Sequence, residues 1–113
     1  MDRGELHWVD LPPAVGGHEQ TGRRPALVVQ ANPSGHSTVV VVPFTTKMTA
    51  LRFPYTVEIR PSGQNGLSAP SIALVFQVRA VDKKRLVGLA GHLESSILTQ
   101  IDEILLRLLG LTA

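Results

Sequence analysis

Apolar and polar residues alternate, or β-branched residues form short runs, in five segments of the chain. The segments are Leu6–Leu11, Ala26–Gln30, Ser37–Thr45, Tyr55–Arg60 and Ile72–Val78. Such runs, bounded by Gly, Pro, Asn and Ser, are typical of β-strands. In the fourth, Tyr55, Val57 and Ile59 are predicted to face the core. Five short strands without a helical crossover between them predict a small, curved antiparallel barrel.

The apolar spacing changes to a helical period near the C-terminus. An apolar arc is formed by Leu93, Ile97, Leu98, Ile101, Ile104, Leu105, Leu108 and Leu109. Because this arc is broad and Leu106 interrupts the polar side, two arrangements stay open: the whole arc packs on the barrel, or part of it contacts a second subunit. A helical turn is also expected at Val81–Leu86, with Asp82 as its N-cap. The fold class is therefore mainly β (α+β), with a C-terminal amphipathic helix.

Length and composition limit the protein to one small domain, residues 1–113. The chain has 113 residues, of which 43% are hydrophobic and 4% aromatic, so its core must be built from Val, Leu and Ile. It contains no cysteine, which excludes disulfides and thiolate sites. Its first residues do not form a signal peptide, and no apolar run is long enough to span a membrane. A soluble, cytoplasmic protein with no membrane partner is expected.

The net charge of +2 is unevenly distributed. Up to Gly88 there are ten Lys and Arg against six Asp and Glu, whereas the remainder holds Arg107 against three acidic residues. A basic body suits a polyanion such as nucleic acid. So small an excess is more often that of an ordinary solvated surface, so charge alone does not decide the function.

Motifs for nucleotide cofactors and metals are missing. There is no Gly-rich phosphate loop, and the four histidines lack metal-ligand spacing, so we expect no metal site and no cofactor. One histidine, His18, lies in a polar loop beside Glu19. That loop leads to Arg23 and Arg24, directly before Pro25 and a run of aliphatic residues.

Three segments follow one another along the chain: the opening RGELHWVDL, the loop GHEQTGRRP and the block QVRAVDKKRL. In this order they resemble the MazF/PemK toxins of bacterial toxin–antitoxin systems, and the resemblance runs from Arg3 to Leu111. It implies a Src-homology-3-like barrel that forms homodimers. It also implies a metal-independent, sequence-specific endoribonuclease that cleaves single-stranded RNA and is neutralised by a cognate MazE-like antitoxin.

The resemblance also indicates the catalytic residues. Arg24 matches the family's catalytic arginine before the proline, and Thr45 matches its catalytic Thr or Ser. The planar guanidinium of an arginine can bind two phosphate oxygens at once, which suits stabilisation of a phosphorane. The acidic loop position falls on Glu19, the first candidate for general base, with His18 as the alternative. Glu19 paired with Arg23 to close the loop is an equally good interpretation.

RNA must also be held as a single strand by basic and polar groups. The substrate-binding candidates are His18, Gln20, Arg23, Thr46, Lys47, Gln77 and Arg79. Gln77 and Arg79 are expected on one face of the fifth strand. Trp8 is expected in the core, as in the family, and stacking on Phe44, Phe53 or Tyr55 is the remaining aromatic option. Phe76 stands where many members have an acid.

Two other functions stay open at this point. A gyrase poison resembling CcdB shares the superfamily and catalyses nothing, but the chain ends in GLTA and lacks the Trp-Gly-Ile ending of those proteins. A module that binds nucleic acid without cleaving it is the third option. The loop that contains Arg24 favours the ribonuclease.

Overall fold

The computed structural model describes residues 1–12, 20–32 and 34–111. In these ranges the strands are β1 (Glu5–Leu11), β2 (Gly22–Val28), β3 (Thr38–Thr45), β4 (Thr56–Ile59), β5 (Ser71–Leu74), β6 (Arg79–Asp82) and β7 (Leu86–His92). Short 3₁₀ helices cover Met48–Arg52, Val75–Gln77 and Lys83–Arg85, and the helix α1 covers Ser95–Leu108. The predicted antiparallel sheet followed by a C-terminal helix is confirmed.

All strand pairs of the sheet are antiparallel, in the order β4-β5-β3-β2-β1-β7, with β6 paired to β3. β3 is the central strand because one edge pairs with β2 while the other pairs first with β6 and then with β5. Pro43 lies between the β6 and β5 segments, where its missing N–H costs no ladder bond on that edge. β3 therefore continues through Pro43 to Thr45, the end predicted for the third strand.

The central strands are buried on both faces, which explains the unbroken valine run in β3. Val39 and Val41 belong to one apolar cluster, together with residues of β1 and β2. Val42 and Phe44 belong to a second cluster, which includes Ile101 of α1. The sheet therefore holds its strands between two layers of aliphatic side chains, and the end of β3 is rigidly placed.

The helix α1 covers one of these clusters. Its buried residue is Ile101, and the half-buried residues Ile97, Leu98, Ile104, Leu105 and Leu108 pack around it. Leu109, expected in the same arc, is the C-cap and is 59% exposed. Part of the arc thus stays uncovered, together with the exposed Leu106. The part of the chain that the structure describes holds no helix with the length and apolar character of a membrane span.

Two turns are organised by side chains, and the second confirms the helical turn predicted at Val81–Leu86. The turn within Pro61–Ser68 is organised by the buried amide of Asn65, which accepts from the backbone N–H groups of Ser62 and Leu67 and donates to the carbonyl of Arg60. The helical turn around Lys83–Arg85 is capped by Asp82, whose carboxylate accepts from the N–H of Lys84 at 2.9 Å. Both are side chains that bond to backbone groups only a few residues away.

Other local predictions are wrong. Tyr55 does not face the core, because it precedes β4 with a φ of 60° and is 38% exposed. The fifth strand ends at Leu74, and the 3₁₀ turn Val75–Gln77 separates it from β6, so Gln77 and Arg79 share no strand face. β6 and β7 were not predicted from the sequence.

Candidate active site

Arg24 is fixed on β2 by its backbone and by its own side chain. Its strand partner is Val9 of β1, and its Nε donates to the carbonyl of Thr21 at 2.8 Å. In the part of the chain that the structure describes, no carboxylate forms an ion pair with it. The half-buried guanidinium is thus oriented by one bond, while its two terminal amino groups stay able to bind an anion.

Thr45 ends β3 with its side chain almost buried, at 3% exposure. It pairs with Ile72 of β5, and its Oγ1 accepts from the backbone N–H of Lys47 at 3.2 Å. That bond uses a lone pair of the hydroxyl. The hydroxyl proton meets no acceptor among the described residues, so it can be donated to a ligand.

Arg24 and Thr45 together line two neighbouring pockets. The narrow pocket, of about 160 Å³, is lined by Trp8, Arg23, Arg24, Pro25, Phe44, Thr45, Thr46, Leu67, Ser68, Ala69 and Ser71. The wide pocket, of about 730 Å³, is lined by Gln20, Thr21, Arg24, Thr45, Lys47, Thr49, Ala50, Arg52, Phe53, Leu74, Phe76 and Gln77. The two residues therefore stand where the pockets meet, and we call this place the junction.

Arg23 lines the narrow pocket and is paired with Asp10. The two residues are opposite each other on β2 and β1, and the guanidinium donates two hydrogen bonds to the carboxylate at 2.8 and 3.0 Å. The bond from Arg23 lowers the pKa of Asp10, and the same bond raises the pKa of Arg23. Asp10 was not predicted as a site residue, because its role depends on the β1–β2 register.

The substrate-binding candidates divide between the two pockets. Gln20, Lys47 and Gln77 line the wide pocket, where the backbone N–H of Gln20 donates to Oε1 of Gln77 at 3.0 Å. Thr46 lines the narrow pocket. Arg79 lines neither of them and lies on β6, opposite Val41.

Two candidates cannot be placed relative to the junction. His18 and Glu19, the competing general bases, lie outside the described residues. Their assignment stays a prediction.

Aromatic side chains surround the junction. Phe53 and Phe76 of the wide pocket have ring centroids 5.8 Å apart, and the Arg52 guanidinium lies 4.9 Å from the centroid of Phe53. Phe44 is fully buried. The prediction that Trp8 lies in the core is wrong. Its side chain is 36% exposed and lines the narrow pocket.

Residues 2–109 match the family described as PemK-like, MazF-like toxin of type II toxin-antitoxin system. This chain belongs to that family. It is 36% identical to the endoribonuclease EndoA of Bacillus subtilis (strain 168), and the match covers 93% of this chain and 90% of EndoA. The family resemblance seen in the sequence is confirmed.

Solved structures of the family share the fold. A crystal structure of MazF from Deinococcus radiodurans is 28% identical, with a TM-score of 0.81 and coverage of 97% of this chain and 96% of the other. A MazE-MazF structure from the same organism is 27% identical, with a TM-score of 0.75 and coverage of 99% and 97%. The predicted small curved barrel is thus confirmed. The family match also supports the toxin and endoribonuclease interpretation over the CcdB-like gyrase poison.

Proposed function

We propose that this chain is a metal-independent, sequence-specific endoribonuclease that cleaves single-stranded RNA as the toxin of a toxin–antitoxin pair. The observation that carries the proposal is the junction, where an oriented guanidinium and an uncommitted hydroxyl line the same two pockets. These are the groups that charge stabilisation at a phosphate requires. Membership of the family and the likeness to EndoA support the same activity.

The reaction uses the RNA's own nucleophile. The 2′-oxygen attacks the adjacent phosphorus while its proton passes to a general base, and a phosphorane forms with extra negative charge on its non-bridging oxygens. The bond from phosphorus to the 5′-oxygen then breaks, and that oxygen takes a proton from a general acid. The products are a 2′,3′-cyclic phosphate and a 5′-hydroxyl, so atoms and charges balance without water or a metal ion.

Arg24 and Thr45 act on the phosphorane. The terminal amino groups of Arg24 bind its non-bridging oxygens, and the hydroxyl of Thr45 donates to one of them. Because Nε of Arg24 is held by the Thr21 carbonyl and Thr45 is held by the N–H of Lys47, both groups are positioned before RNA arrives. The general base is Glu19, with His18 as the alternative.

The wide pocket suits the rest of the RNA strand. Lys47 and Arg52 supply positive charge for the backbone, and Phe53 and Phe76 supply flat surfaces for bases. The remaining proposed contacts come from Gln20, Arg23, Thr46, Gln77 and Arg79.

The activity is tested with purified protein and a long RNA in excess EDTA. The expected result is a set of discrete fragments whose upstream pieces end in a cyclic phosphate and whose downstream pieces begin with a 5′-hydroxyl. Intact RNA in EDTA, with cleavage restored by Mg²⁺, would contradict the metal-free mechanism. Intact RNA under both conditions would contradict the endoribonuclease assignment.

Partners of the chain are also proposed. A cognate MazE-like antitoxin is supported by the MazE-MazF structures of a relative. A homodimer is supported by exposed apolar residues on β7 and at the end of α1, namely Val87, Leu89, Leu106, Leu109 and Leu111. Light scattering checks the dimer, because a monomer at micromolar concentration would contradict it.

We place the activity in the cytoplasm, where the messenger RNA substrate is found.

A further inference from the structure

Trp8 is an exposed aromatic residue in a concave site. Its neighbours across the sheet are Pro25 on β2 and Gly88 on β7, and neither has a side chain large enough to cover an indole ring. The ring is 36% exposed and lines the narrow pocket together with Arg23 and Arg24. A large apolar ring left uncovered in a pocket that also holds two arginines indicates a binding surface more than a packing residue.

The contents of the narrow pocket suggest its ligand. An indole ring and a proline ring provide flat apolar surface, the two arginines provide positive charge, and the hydroxyls of Thr45 and Thr46 are close by. A volume of about 160 Å³ accommodates one planar ring system, whereas the wide pocket is several times larger. These features fit a flat group with polar edges that is attached to an anion. A nucleobase on the sugar-phosphate backbone is such a group.

The position of the pocket sets which nucleotide enters it. Arg24 and Thr45 belong to both pockets, so a phosphate held between them has the narrow pocket on one side and the wide pocket on the other. A base in the narrow pocket therefore belongs to a nucleotide that flanks the cleaved bond.

We propose that Trp8 stacks on the nucleobase flanking the scissile phosphate and makes the narrow pocket a base subsite of this enzyme. The inference rests on the proposed endoribonuclease function and deepens it. Arg23, oriented by its two bonds to Asp10, also lines this subsite, and in the proposal it binds the neighbouring phosphate. A second copy of the chain seated on Trp8 is the competing occupant and is an outcome of the test.

Trp8 is the only tryptophan of the chain, so its fluorescence reports on this subsite alone. The probe is a 2′-O-methyl oligonucleotide of the cleaved sequence, which lacks the nucleophile and stays intact. Its binding is expected to quench the emission of Trp8. A series of probes, each with one abasic position, is expected to lose the quenching when the missing base is next to the cleaved linkage.

Variants test the same contact by affinity. Trp8→Leu is expected to weaken binding of the probe about 5- to 150-fold, the range of one base–aromatic stack, while Trp8→Phe recovers part of the loss. Tyr55 was a stacking option in the sequence, but its exposed ring lines neither pocket, so Tyr55→Asn serves as the control. Asn tolerates the positive φ at this position. Circular dichroism verifies that each variant folds, and the abasic series requires no variant.

The outcomes separate this inference from the function on which it rests. RNA cleavage together with unchanged Trp8 fluorescence on binding overturns the subsite and leaves the endoribonuclease in place. The absence of any cleavage overturns both. Emission that is already blue-shifted without RNA and indifferent to the probe shows that a second copy covers Trp8, and it also overturns the subsite.

Discussion

Replacing Thr45 by valine removes one hydroxyl from the junction and nearly nothing else. Valine has almost the shape of threonine, and the site is only 3% exposed, so packing around the end of β3 is kept. The hydroxyl has two roles in the account: it accepts from the N–H of Lys47, and it donates to the phosphorane. The substitution therefore separates a small structural effect from a large catalytic one.

The structural effect comes from losing the hydrogen bond between the backbone N–H of Lys47 and the Thr45 hydroxyl. Lys47 is exposed, so water can replace the lost acceptor, and the cost is about 0.5–1 kcal/mol of unfolding free energy. For a chain of this length that lowers Tm by about 4 °C or less.

The catalytic effect comes from losing the hydrogen bond that the Thr45 hydroxyl donates to the phosphorane. Loss of one donor to a developing oxyanion is expected to lower kcat about 100- to 1,000-fold. Thr45→Ser keeps the hydroxyl and is expected to retain most of the activity. The assay is single-turnover cleavage of a defined RNA in EDTA, with thermal unfolding measured in parallel. A Thr45→Val enzyme within about threefold of the wild-type rate, or a Thr45→Ser enzyme as slow as the valine variant, would refute the proposed role.

Three further predictions concern binding and stability. Lys47→Ala is expected to weaken RNA binding and to reduce the slope of log affinity against log salt by about 0.7, measured by salt titration; an unchanged slope would remove Lys47 from the phosphate contacts. Because Arg23 lowers the pKa of Asp10, their ion pair stabilises the fold at neutral pH and is lost as pH falls through that lowered pKa. The Tm difference between wild type and Asp10→Asn is therefore expected to vanish in acid, and a difference independent of pH would argue against the pair. Asn65→Ala removes a fully buried amide with several hydrogen bonds, and urea unfolding is expected to show a loss of about 2–4 kcal/mol, against almost none for the exposed Gln100→Ala.

Much of the fold could be predicted because its strands and helix carry strong local patterns. The valine run before Pro43, the alternation at Val57 and Ile59, and the helical spacing around Ile101 each identify an element without reference to the rest of the chain. β7 was missed because its glycines obscure the pattern. Position 91 requires a glycine because a Cβ there would lie 2.5 Å from the carbonyl oxygen of Asn65. Asn65 is distant in sequence, so the local pattern does not reveal this requirement.

The candidate site was predictable only where a motif identified it. Arg24 and Thr45 were found through the family motif, but their meeting at one junction depends on the pairing of β2 with β3. The partner of Arg23 and the exposure of Trp8 depend on strand register, and the local sequence does not encode register. The 3₁₀ turn Val75–Gln77, which separates β5 from β6, was predicted as strand because its residues continue the apolar run of β5.

The central claim is that the Arg24 guanidinium stabilises the phosphorane at the junction. Its most direct test compares Arg24→Ala with Arg107→Ala, an exposed arginine on α1, in single-turnover cleavage at saturating RNA. The account predicts that Arg24→Ala folds normally, binds RNA and loses at least about 100-fold in cleavage rate, while Arg107→Ala matches the wild type. A folded Arg24→Ala protein that cleaves RNA at a rate close to wild type would contradict it.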